Sequence, residues 1–421
     1  MNMHDTRPPG AARADAPAPQ PGRPPVGDRF LPGFLFLTVL GGMTIGLGKV
    51  ATTLFALELG ATGGEIGFIS AAESLGMMLV TVPAGFIIAR YGARRVYFTA
   101  SMGPAVLSLL LPCAPLWWLL AAGRGLIGLC IPFRIVSMNS SFLEKLRTLG
   151  PSRTGWYRAT NSIGIAMIGP AVAHALISRH GPVLAFATCA LAFLLLALLG
   201  RVLLPAAETL PPSASAGTDA GVLRQIRALL ADRVVLESCL IEYLSSSTSS
   251  LHGTFILVVA IAGLGLPQGE AVQLVMTHGV ASVSALFLLG ALLHRLPRPL
   301  AYGASFTLAC CGLLLLGTGR DFVTLAAGGI ALASGSALIH LVNMDQMSRH
   351  PISKSKISGL YSLAQMSGNF SGALIGGLLA HIVSPQQVFI AWLPAVCAGA
   401  LLLWRRARRP ALPDTLSTSH S

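Results

Sequence analysis

Residues 83–95 read Pro83-Ala-Gly-Phe-Ile-Ile-Ala-Arg-Tyr-Gly-Ala-Arg-Arg95. Three arginines, Arg90, Arg94 and Arg95, crowd into six residues, and Gly85 and Gly92 frame them. The apolar runs on either side are each long enough to cross a bilayer. A short basic turn between two such runs marks the side of the membrane on which it lies. Its glycines predict a place where two helices and a tight loop pack closely. A weaker copy follows 205 residues later, Gly290-Ala-Leu-Leu-His-Arg-Leu-Pro-Arg298, with Gly290 and Arg295 in the places of Gly85 and Arg90. This echo is the first sign that the chain is two related halves.

Composition sets the class. The 421 residues are 53% hydrophobic and 11% charged. A soluble domain carries about 25% charged residues, so the chain is a polytopic membrane protein. The net charge of +13 sits in short loops, where it reads as a topology signal and as contacts to anionic lipid. No basic patch interleaved with aromatics is present, and nucleic acid is not an expected partner. The seven cysteines are scattered through apolar segments without metal-ligand spacing. They read as small buried residues. No metal, cofactor or catalytic residue is expected.

Apolar runs separated by polar breaks give twelve spans: 31–57, 66–89, 96–114, 116–140, 157–178, 182–204, 233–262, 270–293, 299–317, 322–346, 357–382 and 386–404. The expected fold is all-α, with two pseudo-symmetric six-helix bundles at 30–204 and 233–405. Residues 1–29 hold seven prolines and nothing that builds a core, so they read as a disordered tail. They lack the apolar middle of a signal peptide. The first apolar run is therefore expected to serve as both insertion signal and first span. The link 205–232 is the longest connection and carries an amphipathic piece at 222–230. Residues 406–421 form a second tail.

Charge placement supports this count. Of 29 Lys and Arg, 24 fall on the loops of one side or in the tails. Arg179 and Arg320 lie on the other side, and Lys49, Arg124 and Arg134 lie within spans. Such asymmetry places both termini in the cytoplasm. The halves also match at near-constant offset. Gly60-Ala-Thr-Gly-Gly-Glu65 parallels Gly265-Leu-Pro-Gln-Gly-Glu270 at 205. Gly155, Asn161 and Gly164 parallel Gly359, Gln365 and Gly368 at 204, as does Asn139 with Asn343. A parallel six-span repeat is the sequence form of a transporter with one central site between its halves.

At this point the chain resembles the major facilitator superfamily, over residues 30–405. The family's signature loop between spans two and three matches Gly85, Arg90, Gly92, Arg94 and Arg95, with Ala89 standing where the family has an acid. Arg124-Gly-Leu-Ile-Gly128 is similar to the arginine motif of span four, which the family associates with proton coupling. Gly164-Ile-Ala-Met-Ile-Gly-Pro-Ala171 partly matches the glycine–proline motif of exporters, so Gly164, Gly169 and Pro170 form an exporter-type hinge. Ala173 and His174 replace its later glycines. The resemblance implies a member of the drug/proton-antiporter-like exporter branch, monomeric in a bacterial-type inner membrane.

Ionisable residues inside spans are costly and mark solute or ion routes. Counting about 1.5 Å per residue puts Lys49, Glu73 and Arg124 all about 10–13 Å from the same face. The first two spans form a hairpin, so Lys49 and Glu73 are expected to pair, with Arg124 nearby. The alternative is a buried pair that only orients helices. In the second half, His278 stands 205 residues after Glu73, and His252 lies at similar depth. Histidine titrates near physiological pH, so the two are candidates for coupling protons. The rival reading is a hydrogen-bonded packing role. A second tier holds Arg134, Glu242 and His340. Glu242, Ser245, Ser249 and His252 form a polar stripe at helical spacing. It reads as the lining of an aqueous route, or as serines bonded to their own backbone. Asn369 is a candidate polar contact, with helix–helix adhesion as an equal rival.

The leading expectation is proton-coupled efflux of a drug-like or metallophore-like molecule by alternating access. Uptake of a small organic anion or nutrient is the alternative, since basic residues outnumber acids in the spans. A sensor or scaffold on the same fold is a second alternative. No G-x-x-x-x-G-K-[ST] loop appears, so ATP drive is not expected, and no enzyme-like constellation is present. The expected partners are a small-molecule substrate, H+ and the lipid bilayer.

Overall fold

The computed structural model describes residues 27–149, 160–204, 232–292, 297–348 and 354–407. Most of both tails, the link with its amphipathic piece, and Arg295 lie outside these residues. Twelve long helices account for nearly all of the described chain. They are α1 (Gly27–Glu58), α2 (Gly63–Tyr91), α3 (Ala93–Leu110), α4 (Trp117–Leu149), α5 (Thr160–His180) and α6 (Pro182–Leu203). In the second half they are α7 (Arg233–Val258), α8 (Gln268–Leu292), α9 (Arg298–Thr318), α10 (Phe322–Ser348), α11 (Lys354–Ala380) and α12 (Gln387–Ala407). The twelve expected spans fall on these helices in order. Among the described residues, nine helices meet the length and apolarity needed to span a membrane, and α2 makes a tenth if its bent halves are joined. The apolar part of α12 is shorter, Gln387–Leu401. In α11 the apolar run is diluted by lysine, serine, Gln365 and Asn369.

Helix ends are set by local chemistry. Thr62 and Glu65 form a reciprocal capping box at the start of α2. Asp232 Oδ1 accepts from the amides of Val234 (2.9 Å) and Val235 (3.2 Å) ahead of α7. Gly60 and Gly265, 205 residues apart, both turn at positive φ, +77° and +67°. Only glycine takes this conformation without strain, so the two matched sequence blocks are also one turn used twice.

Packing repeats the symmetry. Inside a membrane the apolar effect does not drive helices together, so close approach depends on small residues. α1 crosses α5 with Gly164 against the carbonyl of Val39. α7 crosses α11 with Gly368 against the carbonyl of Tyr243. Both partners are 204 residues apart. A Cβ at either glycine would meet that carbonyl oxygen. α2 likewise lies on α4, Gly76 facing Gly125 and Gly128 facing the Glu73 backbone. The span-four motif thus brings two backbones together.

The signature stretch differs from its sequence reading. It is almost wholly helical, and Gly92 alone separates α2 from α3. Gly92 holds φ +84°, and its N–H donates to Ile88 O at 2.8 Å. Gly85 has open space where a side chain would be, so it serves no close contact. The first half of α2 (Gly63–Thr81) meets its second half (Pro83–Tyr91) at 57°. Pro83 explains the bend, since it lacks the N–H that would bond Leu79 O and its ring crowds that carbonyl.

Candidate functional site

α1, α5, α7 and α8 line a cavity of about 190 Å³ between the two halves. Its wall is largely apolar, with Ile45, Val50, Ile256, Leu257 and Val275. Five of the expected site residues reach it: Lys49, Pro170, Ser249, His252 and His278.

Glu73 does not pair with Lys49 as expected. Its carboxylate meets Arg124 at 2.5 Å, and the two side chains are 11% and 4% exposed. The close α2–α4 crossing explains the choice. Glycines at 76, 125 and 128 bring the two backbones together, and the guanidinium closes on the acid from α4. Equal depth in the hairpin did not specify direction around the helix. Lys49 shares a cleft of about 10 Å³ with Glu73 and Arg124. Because it also lines the central cavity, the lysine stands in the wall between the two spaces.

His252 and His278 stack with ring centroids 4.1 Å apart. His278 donates Nδ1–H to Gly329 O at 3.0 Å, since that carbonyl can only accept. This contact mirrors the ion pair: His278 and Gly329 each lie 205 residues after Glu73 and Arg124. Where one half holds two charges, the other holds an imidazole on a carbonyl. His252 is 2% exposed, and neither of its ring nitrogens has a partner among the described residues.

The polar stripe on α7 divides. Ser249 reaches the cavity and contacts Ser336 at 3.3 Å. Glu242 does not reach it and instead turns into its own half. It accepts from the Tyr361 hydroxyl and from Asn343 Nδ2 at 3.4 Å, with His340 at 3.7 Å. Tyr361 also contacts His340 at 3.0 Å, and Tyr302 donates to Asn343 at 2.8 Å. Ser245, three residues after Glu242, is half-buried. The tyrosines carry no periodic signal in the sequence, and Asn343 is legible there only as the repeat partner of Asn139. Asn369 appears through its backbone, accepting from Ser250 at 2.7 Å.

Arg134 is buried against aromatic faces, 4.8 Å from the Phe193 centroid and 5.9 Å from Tyr97, with Thr44 at 3.5 Å. It lines neither space. Cation–π contact stabilises such a desolvated guanidinium. The Gly164–Ile168 stretch of the expected hinge is one turn of π-helix, closed by Gly169 N–H donating to Gly164 O. Pro170 has no N–H for Ala166 O and crowds it, which favours the widened turn. Ile165, Ala166 and Pro170 then line the cavity. In the basic turn, Arg90 lies over Tyr91 at 5.4 Å. Arg94 is half-buried and Arg95 exposed.

A family model described as Major Facilitator Superfamily matches residues 34–352, well over half the chain. Two crystal structures of the nucleoside transporter NupG share the fold. A point mutant superposes with TM-score 0.76 at 14% identity, covering 89% of this chain and 99% of that one. A second NupG structure gives 0.76 at 12%, covering 90% and 100%. No curated protein sequence matches the chain.

Proposed function

The chain belongs to the major facilitator superfamily, and from that premise we propose a proton-coupled secondary transporter that moves a small organic solute by alternating access. The observation that carries this reading is the cavity between the halves, walled by α1 and α5 of one and α7 and α8 of the other. The six-helix bodies 30–204 and 233–405, joined by 205–232, would rock about it. The halves touch mainly toward the α1–α2 end. There Gly67 of α2 meets Gly377 of α11, Gly64 meets His381, and His174 of α5 lies beside Gly269. With both termini read as cytoplasmic, this end is the outer one, and we read the form as one closed on that side. We read the functional unit as a monomer.

Efflux of a drug-like or metallophore-like molecule is the first reading of direction. It rests on the glycine–proline segment that builds one cavity wall. Uptake of a small organic anion is the second, favoured by the basic groups Lys49, His252 and His278 on that wall. The protonatable groups that would bias the two states are Glu73, against Arg124, and the stacked histidines. The NupG likeness is one of fold and brings no substrate.

Proteoliposomes with an imposed pH gradient test the reading. Solute flux should follow the gradient and reverse with it, and Glu73→Gln should uncouple the two. Absence of flux under either polarity, across a library of organic solutes, would refute transport.

A further inference from the structure

Resting on the transport reading, we propose that the central cavity recognises a singly charged carboxylate carried on an apolar body. Charge comes first. Lys49 reaches the cavity, and no salt bridge joins it to a carboxylate among the described residues. The nearby acid, Glu73, is held by Arg124 at 2.5 Å. Taken as ionised, Lys49, Glu73 and Arg124 sum to one positive charge. The lining of the cavity contains no aspartate or glutamate, so nothing on the protein side neutralises it there. One surplus cation on a largely apolar wall matches a monoanion. A dianion would remain half-paired.

Hydrogen bonding comes second. A neutral imidazole always carries one N–H. In His252 both ring nitrogens are buried and without a partner among the described residues. His278, fixed by Gly329 O, stacks on the His252 ring and holds its orientation. A buried donor left unpaired is strongly disfavoured, and a carboxylate oxygen at the cavity wall would accept from it. The Ser249 hydroxyl lines the same wall. The remaining surface, with Ile45, Val50, Ile256 and Val275, suits an apolar body. A metal cation fits poorly. The stacked rings present faces to one another, Lys49 repels positive charge, and no group of three metal-binding side chains occurs among the described residues.

The test uses the full chain in detergent, with benzoate as probe and benzamide as its neutral isostere. Benzoate should raise the melting temperature, and benzamide at equal concentration should not. Lys49→Gln should weaken benzoate roughly tenfold or more, the size expected when a charged hydrogen bond is lost. His252→Phe should weaken it as well, while His252→Gln, which keeps a donor, should retain most of the affinity. Equal response to acid and amide, no response to benzoate, or undiminished binding by Lys49→Gln would each overturn the proposal. The acid-to-amide ratio is read on the unmodified chain, so a variant that fails to fold leaves the test intact. Binding is measured without a gradient, so its failure is distinguishable from a failure of transport.

Discussion

Replacing Glu73 with glutamine should be among the most destabilising single changes in the first half. The carboxylate and the Arg124 guanidinium are 2.5 Å apart and nearly buried. Glutamine keeps the volume and removes the charge. Arg124 is then a buried cation without its acid, sharing a small cleft with Lys49, a second cation. Removing one partner of a buried ion pair destabilises by about 3–5 kcal/mol, most of it from the charge left behind. The double variant Glu73→Gln/Arg124→Gln removes that charge too and should recover a large part of the loss. The assay is equilibrium unfolding in mixed detergent micelles with rising SDS, followed by circular dichroism, for the wild type, both single variants and the double. The expected coupling energy exceeds about 1 kcal/mol, above the roughly 0.3–0.5 kcal/mol within which independent sites add. Additive single effects would sink the claim that these two side chains form one unit. A Glu73→Gln protein as stable as wild type would also contradict the burial on which the argument rests.

Other consequences can be tested in parallel. Gly92→Ala should destabilise by about 1–3 kcal/mol, because φ +84° with ψ 143° suits essentially glycine alone. Gly85→Ala, in open space within a helix, should be neutral or stabilising by up to about 1 kcal/mol; the same unfolding assay separates the two signs. Asp321 accepts from Thr324 N at 2.9 Å and Thr324 Oγ1 at 2.7 Å, bonds that favour the charged form and hold its carboxyl below the usual 3.8. A depressed acid stabilises above its unfolded value and loses that contribution as pH falls through the folded one. Protection of the Thr324 amide in hydrogen exchange should therefore persist at neutral pH and fade only below the ordinary aspartate range; Asp321→Asn should remove the pH dependence. In a cysteine-free background, Gly64→Cys with His381→Cys should cross-link readily, since the two positions touch across the halves. Failure to cross-link would contradict closure at that end.

Much of the fold was legible because its causes are one-dimensional. A bilayer's thickness fixes how long an apolar run must be, and the 205-residue offset marks a duplicated unit. Both survive in the structure, down to the paired turns at Gly60 and Gly265. The site was legible in height but not in direction. Counting residues placed Lys49, Glu73 and Arg124 at one level, yet the rise per residue says nothing about which way each side chain points. The α2–α4 crossing gave Glu73 to Arg124 and left Lys49 facing the cavity. For the same reason the α7 stripe split, with Glu242 turning to Tyr361 while His252 faced the central space. Arg134 found ring faces, which have no spacing signature. Gly85 carried no structural demand, although it stands beside glycines and arginines that do.

The π turn at Gly164–Ile168 carries a consequence of phase. A widened turn takes in one residue more than the α-helix would, and one residue corresponds to about 100° of rotation. The part of α5 beyond Ile168 is thus turned relative to the part before Gly164. Ile165 and Pro170, five residues apart, share the cavity face because of that offset. Were the turn to tighten to α geometry, one side of the helix would rotate against the other, and this wall would be replaced by different side chains. The lining of the cavity is therefore set by the register of a single turn, as well as by which residues the helix contains.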